Sequence, residues 1–341
     1  MDRKLRSPSF QARAVEPARA DAWEGLAALL HRAYEKRKEN FTNVLYFYKP
    51  KIARGSPFQN VEEKLKFPAV SITGKKCYLN CKHCEGKLLE GMIPAETPKE
   101  LFKVCLAVKE AGGEGCLISG GSLKDGRPPL TKFVGTIKRA KRELGLKIVV
   151  HAGLIDPSLA EALASAEVDG IMMDIVGSSE TVKDVCRVED YDISKLDEAL
   201  SLLERSHVPT IPHIVAGLHF GRFKGEWEAL RIAANHEIKA LAIVVLTPLD
   251  GTPMEGASPP SPLDVAKLLS TARLLMPKIP LLLGCARPRG PYSAALESLS
   301  IKAGVNGVAY PSEEAYGLAA KLGLKPETRE ECCSLIWKET S

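Results

Sequence analysis

From Phe67 onward the chain repeats one unit: a short run of β-branched or apolar residues, then a longer stretch with helical spacing. The runs are PAVSIT, GCLIS, KIVVHA, DGIMMDIV, TIPHIVAG, ALAIVVL, IPLLLGC and GVNGVAY, with stretches such as PKELFKVCLAVKEAG and LDVAKLLSTARLLMP between them. Runs that are almost continuously apolar suit strands buried on both faces, as in a parallel sheet covered by helices. Eight such units in about 250 residues predict an α/β fold, a closed (β/α)8 TIM-type barrel. A doubly wound open sheet is the competing arrangement, but no G-x-G-x-x-G follows the first strand.

Outside the repeat, residues 1–62 read as an N-terminal extension packed on the barrel. An amphipathic helix around WEGLAALLHRAYEKRKEN precedes the aromatic arm NVLYFYKPKIARGSPF. Tyr46, Phe47 and Tyr48 in that arm suit either ordinary packing or a cover over a site or partner contact. Residues 63–322 form the expected barrel, and residues 323–341 a tail bearing Cys332 and Cys333.

A net charge of +5 is spread through mixed Lys/Arg and Glu runs, without the basic, aromatic-interleaved tract of a nucleic-acid binder. No run approaches the roughly 18–20 apolar residues of a membrane span, and the first residues lack the apolar core of a signal peptide. A cytoplasmic protein with neither nucleic-acid nor membrane partners is expected. Nine cysteines, three of them in one tight motif, suit thiols kept reduced for a metal better than a disulfide framework.

That motif is CYLNCKHC, with Cys77, Cys81 and Cys84 just beyond the first strand. Three thiolates on one loop fit three irons of a cubane and leave the fourth open. A Cys3His zinc site using His83 is the alternative for the same residues. Barrel enzymes place their sites at the C-terminal ends of the strands. Gly120, Gly121 and Ser122, His151, Asp174, and the segments GLHFG, TPLDGTPM and CARPRG fall on that rim too. The glycines permit close backbone approach, and Asp174, ending an apolar strand, needs a partner: a ligand hydroxyl or a neighbouring cation. His151, His213 and His219 stand near strand ends but as single histidines carry no assigned role. Cys105 and Cys116 read as small buried residues.

C-x3-C-x2-C after a first strand resembles the signature of radical S-adenosylmethionine (SAM) enzymes. The resemblance implies a [4Fe-4S] cluster on Cys77, Cys81 and Cys84 whose open iron is chelated by SAM. It also implies His83 beside the adenine, where the family often has an aromatic residue, and Gly120, Gly121 and Ser122 at the SAM amino group. The family commonly has Gly-Gly-Glu there; Ser122 replaces the Glu. Asp174 is then assigned to the ribose hydroxyls and Arg187 to the SAM carboxylate. Segments PHIVAGLHFG, VVLTPLDGTPM, LLLGCARPRG and IKAGVNGVAYP are similar, in order and spacing, to the second half of biotin synthase-like members, and most of all to archaeal-type two-component lipoyl synthases. That likeness implies a second, auxiliary [4Fe-4S] cluster, for which Cys285, Cys332 and Cys333 are the candidate ligands, with Arg287 near the place where biotin synthase uses an arginine. It further implies sulfur insertion into an octanoyl chain on a lipoyl-carrier protein, a paralogous subunit, and an electron donor such as ferredoxin. Biotin synthase itself, another radical SAM enzyme without sulfur insertion, and a non-catalytic iron-sulfur subunit are the alternatives.

Overall fold

The computed structural model describes residues 20–50, 65–153 and 157–340. Helix α1 (Ala20–Asn40) leads into strand β1 (Val44–Tyr48), and β2 (Ala69–Ser71) and β3 (Ile93–Pro94) follow. The repeat then runs α2 (Pro98–Glu110), β4 (Gly115–Ser119), α3 (Val134–Leu144), β5 (Lys147–His151), α4 (Pro157–Ser165), β6 (Gly170–Asp174), α5 (Ser179–Asp184), α6 (Ser194–Arg205) and β7 (Thr210–Ala216). It continues with α7 (Glu226–Ala234), β8 (Leu241–Val245), α8 (Pro262–Leu275), β9 (Leu281–Leu283), α9 (Pro291–Lys302) and β10 (Gly307–Ala309). The last elements are α10 (Glu313–Lys321), β11 (Lys325–Arg329) and α11 (Trp337–Thr340). Each of the eight apolar runs contains one strand.

Local signals set the helix starts. Thr97 accepts from the Glu100 amide while the Glu100 carboxylate accepts from the Thr97 amide, a reciprocal cap that starts α2. Ser261 caps α8, with Pro262 in its first turn.

All strands are parallel in one curled sheet of order β11-β1-β10-β9-β8-β7-β6-β5-β4-β2-β3, a (β/α)8 barrel wall with added edge strands. The hydrogen-bonded ring is not closed, because β1 takes the edge of β10 that a closing strand would use. The alternation of VLYFY explains why. Leu45 and Phe47 join the core between sheet and helices, while Tyr46 and Tyr48 face the barrel interior with Val149, Met172, Ile211 and Leu282. Residues Val44–Tyr48 of the aromatic arm are therefore a sheet strand, the last four all under 8% exposed, while the arm beyond residue 50 lies outside the described residues. Arg37 of α1 fastens its start, donating to the carbonyls of Thr42, Val44 and Val305.

After β11 the chain turns into the interior, burying Cys333, Leu335 and Ile336 among the inward residues of the strands. Lys147, which begins β5, donates to Glu331 at 2.5 Å. Lys338 and the Trp337 indole donate to Asp169, just ahead of β6. The tail thus shuts the end of the barrel where the strands begin. Access is left at their C-terminal ends.

Candidate functional site

Just past β2 the cysteine loop is shaped by local bonds. Ser71 donates to the Gly74 carbonyl at 2.6 Å, and the amides of Cys84 and Glu85 donate back to the Cys81 carbonyl at 3.0 and 2.8 Å. Asn80 and Glu85 take left-handed conformations, with φ of 44° and 43°. The loop is sewn to its neighbours by Tyr78 N–H to the Ser122 carbonyl and Lys82 N–H to the Val185 carbonyl, both 2.8 Å. Gly121 N–H donates to Thr73 Oγ1 at 2.7 Å. A Cβ on Gly121 would stand 2.0 Å from the Lys76 carbonyl oxygen and 2.6 Å from Cys77 Cα. Gly121 is therefore required by the cysteine loop itself, whereas a Cβ on Gly120 would meet the side chains of Ile72 and Thr73.

Cys77 and Cys81 are half-buried and Cys84 is buried. Burial pushes the Cys84 thiol up to about 12. Cys81 is raised by a sulfur contact with Cys186 and then by burial, and its thiol donates to the Cys186 carbonyl at 3.6 Å. Nothing in the sequence marked Cys186, which is brought here only by the fold. A metal centre that binds these residues as thiolates offsets those costs. One zinc with bonds of about 2.3 Å needs sulfurs about 3.8 Å apart. Among the described residues, the thiols of Cys77, Cys81 and Cys84, with or without His83, do not gather within 4.8 Å of one another. At least one pair of them is thus further apart than a single tetrahedral ion allows. His83 has a buried Nδ1 without a hydrogen-bond partner, an atom placed to receive one from a bound group.

On the strands facing this loop, His151, Asp174 and His213 end or occupy β5, β6 and β7, and Asp174 pairs in register with His213. His151 Nε2 lies 3.5 Å from Asp174 Oδ2, and the two imidazole rings are 6.3 Å apart. The protein partner of Asp174 is thus a histidine. Its side chain is 46% exposed, yet protein surrounds it, as expected of a group lining an inward cavity. Enclosure alone would raise the Asp174 carboxyl, but His151, then His213 and His83, outweigh it and hold it at about 2. Burial lowers His151, and Asp174 more than reverses this, leaving it raised. Burial takes His213 down to about 4. His213 Nδ1 is 3.0 Å from the Ile211 carbonyl, which can only accept, so Nδ1 carries the proton and Nε2 is an acceptor. Asp174 and His213 together offer acceptors to a ligand with hydroxyl or N–H donors.

Cys285, following β9, is an exposed residue that protein nonetheless surrounds, near enough to the tail for Cys332 to act on it. Burial raises its thiol and Cys332 adds to the effect, while Cys333 is held up by contact with Cys332, by burial, and by Cys285. These three sulfurs likewise do not gather within 4.8 Å. Arg287 is held in the barrel wall, from which its charge still acts on Cys285. It is 1% exposed, and its guanidinium donates to Ser293, Gly284, Glu297 and Tyr310 within the wall. Arg187, at φ 63°, sits on the site's edge 3.4 Å from Glu85 of the cysteine loop. Cys105 and Cys116 lie together, fully buried, between helix and sheet. His219 belongs elsewhere, with Thr181, Glu180 and Asp184.

The donor set and the orphaned His83 nitrogen fit a cysteine-held cluster and a polar ligand beside it. No helix among the described residues is long and apolar enough to cross a membrane. Biotin synthase of Bordetella avium (strain 197N) is 26% identical over 74% of this chain and 79% of its own length. That of Halorhodospira halophila (strain DSM 244 / SL1) is 24% identical over 78% and 84%. In three dimensions the chain resembles methylornithine synthase (PylB), with a TM-score of 0.61 at 18% identity over 90% of both chains. It also resembles HydG, a maturase of the [FeFe]-hydrogenase, with a TM-score of 0.65 at 15% identity over 93% of this chain and 70% of that one. The Radical SAM superfamily matches residues 71–247, just over half of the 341, from the end of β2 through the cysteine loop to the end of β8. The chain belongs to the radical SAM superfamily.

Proposed function

We propose that this radical SAM enzyme is a sulfurtransferase that inserts sulfur into unactivated C–H bonds of an octanoyl chain carried on a lipoyl-carrier protein, as one component of a lipoyl synthase. The observation that carries the reading is that Cys285, exposed past β9, lies near enough to Cys332 and Cys333 of the tail for their charges to interact, apart from the cysteine loop. The relatives named biotin synthase support sulfur insertion as the reaction class.

In this reading Cys77, Cys81 and Cys84 hold the SAM-binding cluster, and Cys285, Cys332 and Cys333 hold the auxiliary one. When bound, the first cluster and SAM supply the radical chemistry that removes hydrogen from carbon, and the second supplies sulfur. The protein's own work is alignment. Asp174, fixed by His151, and His213 Nε2 accept from the ribose hydroxyls, His83 lies beside the adenine, and Arg187 turns from Glu85 toward the SAM carboxylate. The backbone of Gly120, Gly121 and Ser122 borders the amino group. The tail closes the barrel's base and excludes water from the space between the two thiol sets. A paralogous subunit completes the pair, and a ferredoxin-type protein supplies electrons.

The test is Cys285→Ala. Thiolated octanoyl-carrier product is expected to disappear while 5′-deoxyadenosine formation persists; undiminished thiolated product contradicts the second thiol set. The polar lining of His151, Asp174 and His213 favours a second reading, in which a radical SAM enzyme acts on a smaller polar substrate without sulfur insertion.

A further inference from the structure

Among the described residues three pairs of thiols touch, and the pairs are not alike. Cys105 and Cys116 are fully buried between helix and sheet, out of reach of any solute. Cys332 and Cys333 are consecutive, and neighbouring Cα atoms stand closer than a disulfide normally spans. Cys81 and Cys186 are 105 residues apart in the chain and both only half-buried. This third pair alone combines contact, a long intervening chain and access for a small solute.

The pair is held by packing on both sides. Lys82 N–H donates to the Val185 carbonyl at 2.8 Å, joining the cysteine loop to the chain past α5 at the residues next to both cysteines. Chains joined by a backbone hydrogen bond run at about the separation that a disulfide bridges. Cys81 Sγ lies 3.6 Å from the Cys186 carbonyl oxygen. Val185 is buried with Leu218, Leu246 and Met254, and Cys186 packs against that cluster, so the core sets where the second sulfur stands. Cys84, in contrast, senses Cys81 and Cys77 only as charges. Two touching sulfurs are closer than thiolates on separate irons of one cubane, so in this arrangement Cys81 and Cys186 do not both serve as cluster ligands.

We infer that Cys81 and Cys186 form a reversible disulfide when the chain meets a peroxide before its cluster is in place, and that this bond controls cluster assembly by withdrawing one of the three ligands. The inference rests on the radical SAM reading, which makes Cys81 a ligand, and not on sulfur insertion. One sulfur attacks the peroxide and takes an oxygen as sulfenic acid while the O–O bond breaks and a water leaves. The other sulfur displaces that oxygen as a second water and the S–S bond forms. Two thiols thus lose two electrons, and one hydrogen peroxide becomes two waters. A dithiol reverses the step by exchange, ending as its own disulfide and returning both cysteines to thiols. The bond also keeps Cys81 from going on to sulfinic acid, which a thiol does not reduce.

The experiment uses the full chain, prepared free of iron and fully reduced, then treated with a small excess of hydrogen peroxide. Tandem mass spectrometry of an unreduced digest is expected to join Cys81 to Cys186, with Cys105 and Cys116 still thiols. Anaerobic reconstitution of the treated chain is expected to give about four fewer irons than the untreated one, and dithiothreitol added first should restore them. Cys186→Ser is expected to take up iron like the parent when untreated. After peroxide and dithiothreitol it should regain at least about twofold less of the lost iron, because its Cys81 has no partner to halt oxidation. A link from Cys81 to Cys77 or Cys84, or no link at all, overturns the pairing, and the map needs no substitution to show it. The Cys81–Cys186 link with undiminished iron uptake overturns the control of assembly. Sulfur insertion enters none of these readings, so its failure leaves them unchanged.

Discussion

At Gly121 a hydrogen atom is the largest side chain the cysteine loop tolerates, since a methyl group would meet backbone on two sides. Gly121→Ala is expected to lower iron incorporated per chain at least about twofold, because close-packed backbone yields poorly to added volume; iron analysis after anaerobic reconstitution checks it. The Asp174–His151 pair makes a second residue-scale prediction. Asp174 is depressed to about 2, so its charge is present above the ordinary carboxylate range and is lost only as pH falls through that value. His151 is raised, so its charge is present below about 6.5 and is lost as pH rises through the raised value. In Asp174→Asn burial is left to dominate, and the His151 midpoint in an NMR titration is expected to fall below 6.5. A midpoint unmoved by that substitution would deny the pairing. Cys77, Cys81 and Cys84 were legible because their spacing is local. Cys186, His213 and the orphaned nitrogen of His83 were not, since each gains meaning only from strands or loops distant in sequence.

The apolar runs of the eight barrel strands announce themselves, because strands buried on both faces leave little room for polar residues. β11, KPETR, does not. It is polar and partly exposed, and it is a strand only because β1 offers it an edge. The role of the tail was hidden for the same reason: Leu335 and Ile336 find their place only inside a finished barrel. Its anchor is Asp169, which accepts from Lys141, Lys338 and the Ile148 amide. Burial would raise this carboxyl, but those donors outweigh it and hold it low. Its contribution is thus present above the ordinary carboxylate range and fades as pH falls through the depressed value. Asp169→Ala leaves the buried Ile148 amide unpaired and is expected to cost about 1–3 kcal/mol. Denaturant unfolding would measure the loss, and faster hydrogen exchange over residues 332–340 would place it in the tail.

For the whole molecule, the barrel count read from the repeat gives the wall, and the N-terminal arm and C-terminal tail give its consequences. One extends the sheet beyond β10 and the other closes the base, with one thiol set on the rim loop and another where Cys285 nears the tail. The proposed function requires these to be two independent cluster sites. Iron and acid-labile sulfide per chain, measured after anaerobic reconstitution of the parent and of a Cys77→Ala/Cys81→Ala/Cys84→Ala variant, decide whether they are. Two cubanes require about eight irons in the parent and about four in the variant. About four in the parent and none in the variant would contradict the second site and the sulfur insertion built on it.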